Sequence, residues 1–366
     1  RPERVVSQVI SLGARWDTFE LVAEEFRFTT TDAGGDGTNP NRPLDIVTDT
    51  ANVNLRDSYN ANYPDPEDLR QTIGSVDAGT DTITLNGHGL QDDARVVFFG
   101  ADLPAPLVEG TTYFVINATA NTFQVSATQG GAAIDLTDAG SGTQEVRLVV
   151  DVPVVIDPNV QVFSTDPFVP ALTVGNWPAG VNITLTVRTG AYVVGAGGAG
   201  GDVTNDNGGT GQSGGTGLFT RYAITVENEG TIAGGGGGGG AGGTGSTEGV
   251  TQIAYGGAGG GGAGRINGVG GSSPGPAQTQ TTDGTLTLGG DGGTGEGQPS
   301  AATRGGNGGD GGDLGQAGGN GTISAASGID PLTGLPGAGG AAGEAIDGDS
   351  LVTLSGSGSV LGPQVN

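Results

Sequence analysis

"TIAGGGGGGGAGGTG", residues 231–245, contains an unbroken run of seven glycines. Glycine loses more backbone freedom on folding than any other residue and brings no side chain to bury. Alone, such a run reads as linker. The spacing of the surrounding glycines reads otherwise. In "RGGNGGDGGDLGQAGGNG", Gly306, Gly309, Gly312, Gly315, Gly318 and Gly321 share one period of three. So do Gly208, Gly211, Gly214 and Gly217, then Gly289, Gly292 and Gly295, and then Gly334, Gly337, Gly340 and Gly343. The run itself supports Gly234, Gly237, Gly240 and Gly243. A flexible Gly/Ser linker has no reason to keep a phase. Three residues per turn is the period of the polyproline-II conformation, which makes no internal hydrogen bonds. With glycine on the facing side, such helices can bond to one another laterally and so supply the partners that buried backbone groups need.

Two other architectures share this period. Collagen needs a sustained, proline-rich Gly-X-Y tract, whereas the repeats here are short and almost free of proline. The calcium β-roll wants a large apolar residue two places after its aspartate. "GGDGGDLGQ" (308–316) puts Leu314 one place early, and "GGNGGDGGD" (305–313) has Gly312 there. Packed glycine helices remain the better reading.

Composition bounds what such a chain can do. Of 366 residues 78 are glycine, and 57 of these fall between Gly195 and Gly343. The net charge is −26, and all thirteen cations are arginine. Nucleic-acid binding needs clustered cations and is not expected, nor is electrostatic docking to an anionic membrane. The acidity reads as a solvated, self-repelling surface, with divalent-cation binding as the sharper alternative. There is no cysteine, so disulfides and thiolate metal sites are excluded. No apolar run approaches the ~20 residues of a membrane-spanning helix, and no membrane insertion is expected. Residue 1 is arginine, which fits a processed chain or a piece of a longer one.

Along the chain, residues 1–73 are mixed and the least readable. From 74 to 150, "DTITLNGHGL", "ARVVFFG", "TTYFVINA", "NTFQVSA" and "AAIDLTD" are short β-branched and aromatic runs separated by turn chemistry. They predict a compact all-β module. Residues 151–187 continue in β, with Val181, Ile183, Leu185 and Val187 alternating. Residues 188–346 form the glycine-rich region, and 347–366 return to β alternation as a cap. The expected fold is mostly β: small β-modules, then a domain of packed glycine helices, then a short C-terminal β cap.

Three stretches resemble the tail-fibre and host-specificity proteins of tailed bacteriophages. "EGTTYFVINATANTFQVSAT" with "GGAAIDLTDAGSGT" is similar to a β-module recurrent in phage tail proteins. "ITVENEGTIAGGGGGGGAGG" resembles the start of their glycine-rich receptor-binding domain, and "AIDGDSLVTLSGSGSVLG" resembles their terminal strand. The resemblance implies a virion protein of the distal tail, extracellular, with a distal domain of polyglycine-II helices and 1–73 as the tail-attachment region. It implies binding of a bacterial outer-surface receptor, an outer-membrane protein or a polysaccharide. Other tail-tip proteins are implied partners, and a homotrimer is expected over a monomeric tip.

If the glycine segments run antiparallel, the passages between them are turns at the ends of a stack, where recognition usually sits. The candidate receptor-binding residues are Tyr255, Arg265, Asn267, Pro274, Gln278, Gln280, Arg304 and Leu332. Tyr255 stands where a loop meets a glycine run and is either an exposed aromatic anchor or a cap on the stack. Arg265 and Arg304 are isolated cations suited to carboxylate or phosphate groups, or to surface salt bridging. Asp202 and Asp206, with Asn205 and Asn207, are a polar turn or a calcium site. His88, the sole histidine, reads as structural. With no lysine, cysteine or second histidine, the usual nucleophile–base pairs are unavailable. No catalytic residue, metal or cofactor is expected. A polysaccharide-depolymerising fibre is the alternative function, and an ice-binding or cell-surface structural protein the second.

Overall fold

Val150, Val152, Val154 and Ile156 face one way along one strand, and Val181, Ile183, Leu185 and Val187 do so along another. All eight are buried, and the two strands pair in parallel with Val154 beside Leu185. Parallel pairing of segments this far apart needs a crossover, and here the crossover is a coil. The computed structural model describes residues 42–62, 70–177, 180–204, 207–247, 253–275, 280–297, 303–326 and 331–366. Their architecture is mostly β.

Three five-stranded parallel sheets enclose one core. Each turn of the chain gives one strand to each sheet, so the described residues form a three-sided solenoid of five coils. The first coil is Leu44–Ile46, Thr50–Ala51 and Val53–Asn54; the second is Val150–Ile156, Gln161–Phe163 and Leu172–Thr173. The third is Val181–Val187, Tyr192–Val194 and Leu218–Phe219. The fourth is Ile224–Asn228, Thr231–Ala233 and Ile346–Asp347, and the fifth is Val352–Ser355, Ser359–Leu361 and Gln364–Val365. Equivalent residues stack: Val154, Leu185 and Val226 along the first face, Val162, Val193 and Ile232 along the second, Leu172, Leu218 and Ile346 along the third. All nine are buried without exposed area, each such side chain contributing about 1.5–3 kcal/mol. The eight-residue helix Leu55–Asn62 turns Leu55 and Tyr59 into this core beside Trp177.

Residues 44–54, the expected connector 151–187 and the expected cap 347–366 thus meet in the same three sheets. A linear reading separates them because long insertions interrupt the coils. Between the first and second coils lies a seven-stranded antiparallel sheet running from Arg70–Thr72 to Glu145–Leu148, with its own core around Ile83, Phe98, Val115 and Phe123. Arg95 ties it to the solenoid through an ion pair with Asp151. Most of the expected N-terminal region, residues 1–41 and 63–69, lies outside the described residues.

The glycine segments are two excursions, 195–217 and 234–345, leaving adjacent coils at the same corner. They start in register: Val194 pairs with Ala233, then Gly195 N–H donates to the Ala233 carbonyl, Gly198 to Gly236 and Gly201 to Gly239. They also return in register, with Gly208, Gly211, Gly214 and Gly217 donating to Leu335, Ala338, Ala341 and Glu344 before Leu218 pairs with Ile346. The segments alternate in direction and bond side by side.

The run 234–243 sits at the centre. Gly235, Gly238 and Ala241 donate to Gly215, Gln212 and Gly209 at 2.8–2.9 Å. Gly236, Gly239 and Gly242 donate to Ala263, Gly260 and Gly257 at 2.8 Å. Gly237, Gly240 and Gly243 donate to Gln316, Gly319 and Thr322 at 2.9–3.1 Å. Its carbonyls accept from three further segments: Gly198 and Gly201; Gly337, Gly340 and Gly343; and Gly306, Gly309, Gly312 and Gly315. The period-three series Gly208–Gly217 and Gly334–Gly343 are thus each one row of donors aimed at one neighbour, while the long series from Gly306 divides, Gly306–Gly315 donating to the central run and Gly318 and Gly321 to Gly340 and Gly337.

At the margin of the array, side chains replace the missing neighbour. Gly289, Gly292 and Gly295 donate to the Oδ1 atoms of Asp313, Asp310 and Asn307 at 3.0, 2.8 and 3.1 Å. Gly270 likewise donates to Asp283 and Gly339 to Asn320.

Two consequences can be measured by chemical denaturation. A Cβ on Gly238 would overlap the Ala199 carbonyl, and backbone on every side leaves no room to yield. Gly238→Ala is expected to destabilise by about 3 kcal/mol or more, at or above the usual cost of overpacking. Gly297→Ala, where nothing lies within 4 Å of the new carbon, should change stability by under ~0.5 kcal/mol. At the margin, Asp310→Asn keeps the acceptor and should be neutral, while Asp310→Ala should lose about 0.5–1.5 kcal/mol.

Candidate functional site

Because glycine segments alternate in direction, their connections fall at two ends. One end faces the solenoid and carries the turns near 265–267, 286–288 and 314–316. The other is distal, and short β pairings organise it. Val203–Thr204 pairs with Asn207–Gly208, and Thr303–Arg304 with Ala325–Ala326. Gly245–Thr247 is the middle strand of a small sheet, flanked by Ile253–Ala254 and Pro331–Thr333. The segment entering the remaining distal loop is fixed by Ser272, whose N–H and hydroxyl both donate to Asp202 Oδ1, and by Ser273, whose hydroxyl donates to the Gly256 carbonyl. Backbone and short polar side chains thus anchor each distal loop at its base.

The candidates divide between these ends. Tyr255 is half-buried at the distal end, packed on Val203, Ala241 and Ala258. Its N–H donates to Glu296 Oε2 at 3.3 Å, and its carbonyl accepts the Glu296 N–H at 2.9 Å. Pro274, Gln280 and Arg304 are exposed at the same end. Arg304 has no ion-pair partner among the described residues. The main chain of Leu332 pairs with Ser246. Gln278 lies outside the described residues.

Arg265 and Asn267 are at the other end. Arg265 Nη2 is 3.5 Å from Asp49, and its guanidinium carbon lies 5.3 Å from the centre of the Phe163 ring. Both partners belong to the solenoid, so Arg265 braces the glycine array against its base. Nothing local distinguishes this turn from the distal ones, because the direction of each segment emerges only from the packing.

Three further aliphatic side chains stand outside the sequence candidates. Ile253, Ile323 and Leu335 are 45%, 65% and 68% exposed where glycine segments enter the distal loops. Their signal was a large apolar residue within three places of the glycine segment it adjoins.

Other polar candidates have structural employment. Asp202 holds Ser272, and Asn207 Oδ1 accepts the Leu335 N–H at 2.9 Å; Asn205 and Asp206 lie outside the described residues. His88 is buried against Phe123, and its Nδ1 accepts the Leu90 N–H at 2.8 Å.

A family model for the phage tail fibre adhesin Gp38 matches residues 114–365. The chain belongs to this family. The match spans the second to fifth coils and the whole glycine array, beginning within the antiparallel sheet. Among solved structures, the crystal structure of the gp37-gp38 adhesin tip complex of the bacteriophage S16 long tail fibre is similar to this Gp38-family chain at 24% identity. The likeness covers 59% of this chain and 70% of that one, with a TM-score of 0.32. No curated protein matches the chain. Membership makes it a phage tail fibre adhesin, and so a component of the virion tail.

The distal geometry separates packing from display. Tyr255→Ala should destabilise the chain by about 1–3 kcal/mol, below the 3–5 of a fully buried aromatic, whereas Arg304→Ala should stay within ~0.5 kcal/mol. Thermal unfolding of the two variants measures the difference.

Proposed function

We propose that the glycine segments are polyglycine-II helices and that this adhesin binds a bacterial surface receptor through the loops at their distal ends. The observation that carries the reading is the distal placement of five loops on one array whose packed glycines leave no room for an added Cβ. Threefold lateral bonding, with successive N–H groups aimed at three neighbours in rotation, is what a helix of three residues per turn requires. A stiff base limits the entropy lost when the loops dock, so the loops can vary while the array does not. The receptor class is an outer-membrane protein or a polysaccharide. Tyr255, Pro274, Gln278, Gln280, Arg304 and Leu332 are the proposed contact residues, joined by Ile253, Ile323 and Leu335. Arg265 is proposed as bracing the base instead, with Asn267 in the same turn.

One chain supplies all three faces of the solenoid, so its core closes without a second copy. The expected homotrimer has no role in that core, and the proposed binding unit is the single chain. Attachment to another tail-fibre protein is proposed through the solenoid end, leaving the distal loops free. Several units on one particle would add avidity to modest single-site binding.

The test uses the full chain with residues 274–281 replaced by Gly and Ser, beside Arg304→Ala and Arg265→Ala. Binding to host cells should fall at least ~10-fold for the loop variant, the loss of a contact worth about 1.4 kcal/mol or more. Arg265→Ala should bind as the parent does, and circular dichroism should match across the set. Undiminished binding by the loop variant, or loss confined to Arg265→Ala, would move recognition away from the distal end.

A further inference from the structure

On the outside of the third face, equivalent positions of four coils form a row: Asn54, Thr173, Phe219 and Asp347. Their inward neighbours Val53, Leu172, Leu218 and Ile346 fill the core. The segments that follow the strands fold back over this row and leave a cleft of about 390 Å³, lined by Asn54, Arg56, Asp57, Thr173, Asn176, Phe219 and Arg221. That volume lies within the range of small-molecule sites, roughly 300–1,000 Å³.

The cleft holds two of the thirteen cations of a chain whose net charge is −26. Each guanidinium is held over aromatic rings. The Arg56 carbon lies 5.0 Å from the Trp177 ring centre and 5.7 Å from that of Tyr59, and the Arg221 carbon lies 4.3 Å from that of Phe219. Arg221 is further fixed by Asp347 at 2.9 Å. Such stacking sets side-chain direction in advance, which is what planar recognition of a carboxylate uses. Arg56 Nη1 is buried and makes no hydrogen bond to the described residues.

The floor is built for this geometry. Gly175 has a φ of 85°, and a Cβ there would come within 2.6 Å of Arg56 Cβ and 2.9 Å of Asn54 Oδ1. Only a residue without a side chain lets the Arg56 turn lie against this loop.

We propose that this cleft binds a carboxylated sugar, its carboxylate taken by Arg56 and Arg221 and its hydroxyls by Asn54, Thr173 and Asn176. Asp57 and the overall acidity disfavour a dianion such as phosphate. The neutral amides and hydroxyl suit a polyol. The site is on the solenoid, away from the distal loops, and does not depend on what those loops recognise.

The experiment titrates the full chain with glucuronate, glucose and acetate, following binding by calorimetry. The same titrations on Asn176→Asp place a negative charge beside the cleft at an exposed position, leaving every ring stack in place. Glucuronate should bind at least ~10-fold more tightly than glucose or acetate, and Asn176→Asp should weaken it by at least ~10-fold with an unchanged melting temperature. Arg221→Gln should weaken it as well. The proposal is overturned if millimolar glucuronate gives no heat, if glucose or acetate binds equally well, or if Asn176→Asp binds as the parent does. Cell adhesion is a separate readout, so failure here leaves the distal-loop reading untouched, and failure there leaves this one.

Discussion

The controlling interaction is the direct hydrogen bond from one glycine backbone to another. Between 234 and 243 the N–H groups turn through three neighbours in succession, which is possible only because no side chain stands between the axes. Added Cβ atoms at Gly234, Gly236, Gly239 and Gly242 would overlap carbonyls of Gly343, Gly312, Gly309 and Gly306. The entropy glycine loses on ordering is offset by bonds that leave almost no central donor unmet, in place of an apolar core. Ala241, the single substitution in this run, turns its methyl into the small cluster with Val203, Ala258 and Tyr255. It is accommodated where the array gives way to loop packing.

Such an array needs a starting register, because period-three segments can slip past one another by one turn at little local penalty. The solenoid supplies it. Adjacent parallel strands are roughly 4.8 Å apart, and Tyr192–Val194 and Thr231–Ala233 run directly into Gly195 and Gly234 as neighbours already paired. The returning segments are fixed where Leu218 meets Ile346. Apolar burial in the coils therefore sets the alignment of a region that has little apolar burial of its own. Arg265, read from sequence as a recognition cation or a surface salt-bridging one, lies at this same junction beside Asp49 and Phe163.

What was legible in the sequence follows from which signals are local. The phases of Gly208–Gly217, Gly306–Gly315 and Gly334–Gly343 survive as rows of donors because one segment's period is set by its own residues. The alternation of Val181 to Val187 likewise marks a one-sided strand. The coils were not legible. Leu44–Ile46 pairs with a strand more than a hundred residues later, and Thr50–Ala51 or Leu172–Thr173 is too short to show any alternation. The site was half legible for the same reason: a loop's composition shows that it is a loop, but which end of the array it occupies depends on the direction of every segment before it.

The acidity takes a more specific meaning from the array's margins. A finite lattice leaves outward N–H groups with no neighbour, much as the edge strand of a sheet does, and an open edge invites another molecule to pair with it. Here Asp283, Asp310 and Asp313 accept from Gly270, Gly292 and Gly289, with Asn307 and Asn320 doing the same for Gly295 and Gly339. The carboxylates close the donors and place negative charge where a second array would have to approach. Solubility and closure are thus one device, and the reading of the charge as a merely solvated surface was incomplete. Aspartate and asparagine suit it because their side chains are just long enough to stand in for the carbonyl of a missing segment. An array capped in this way ends laterally by its own chemistry.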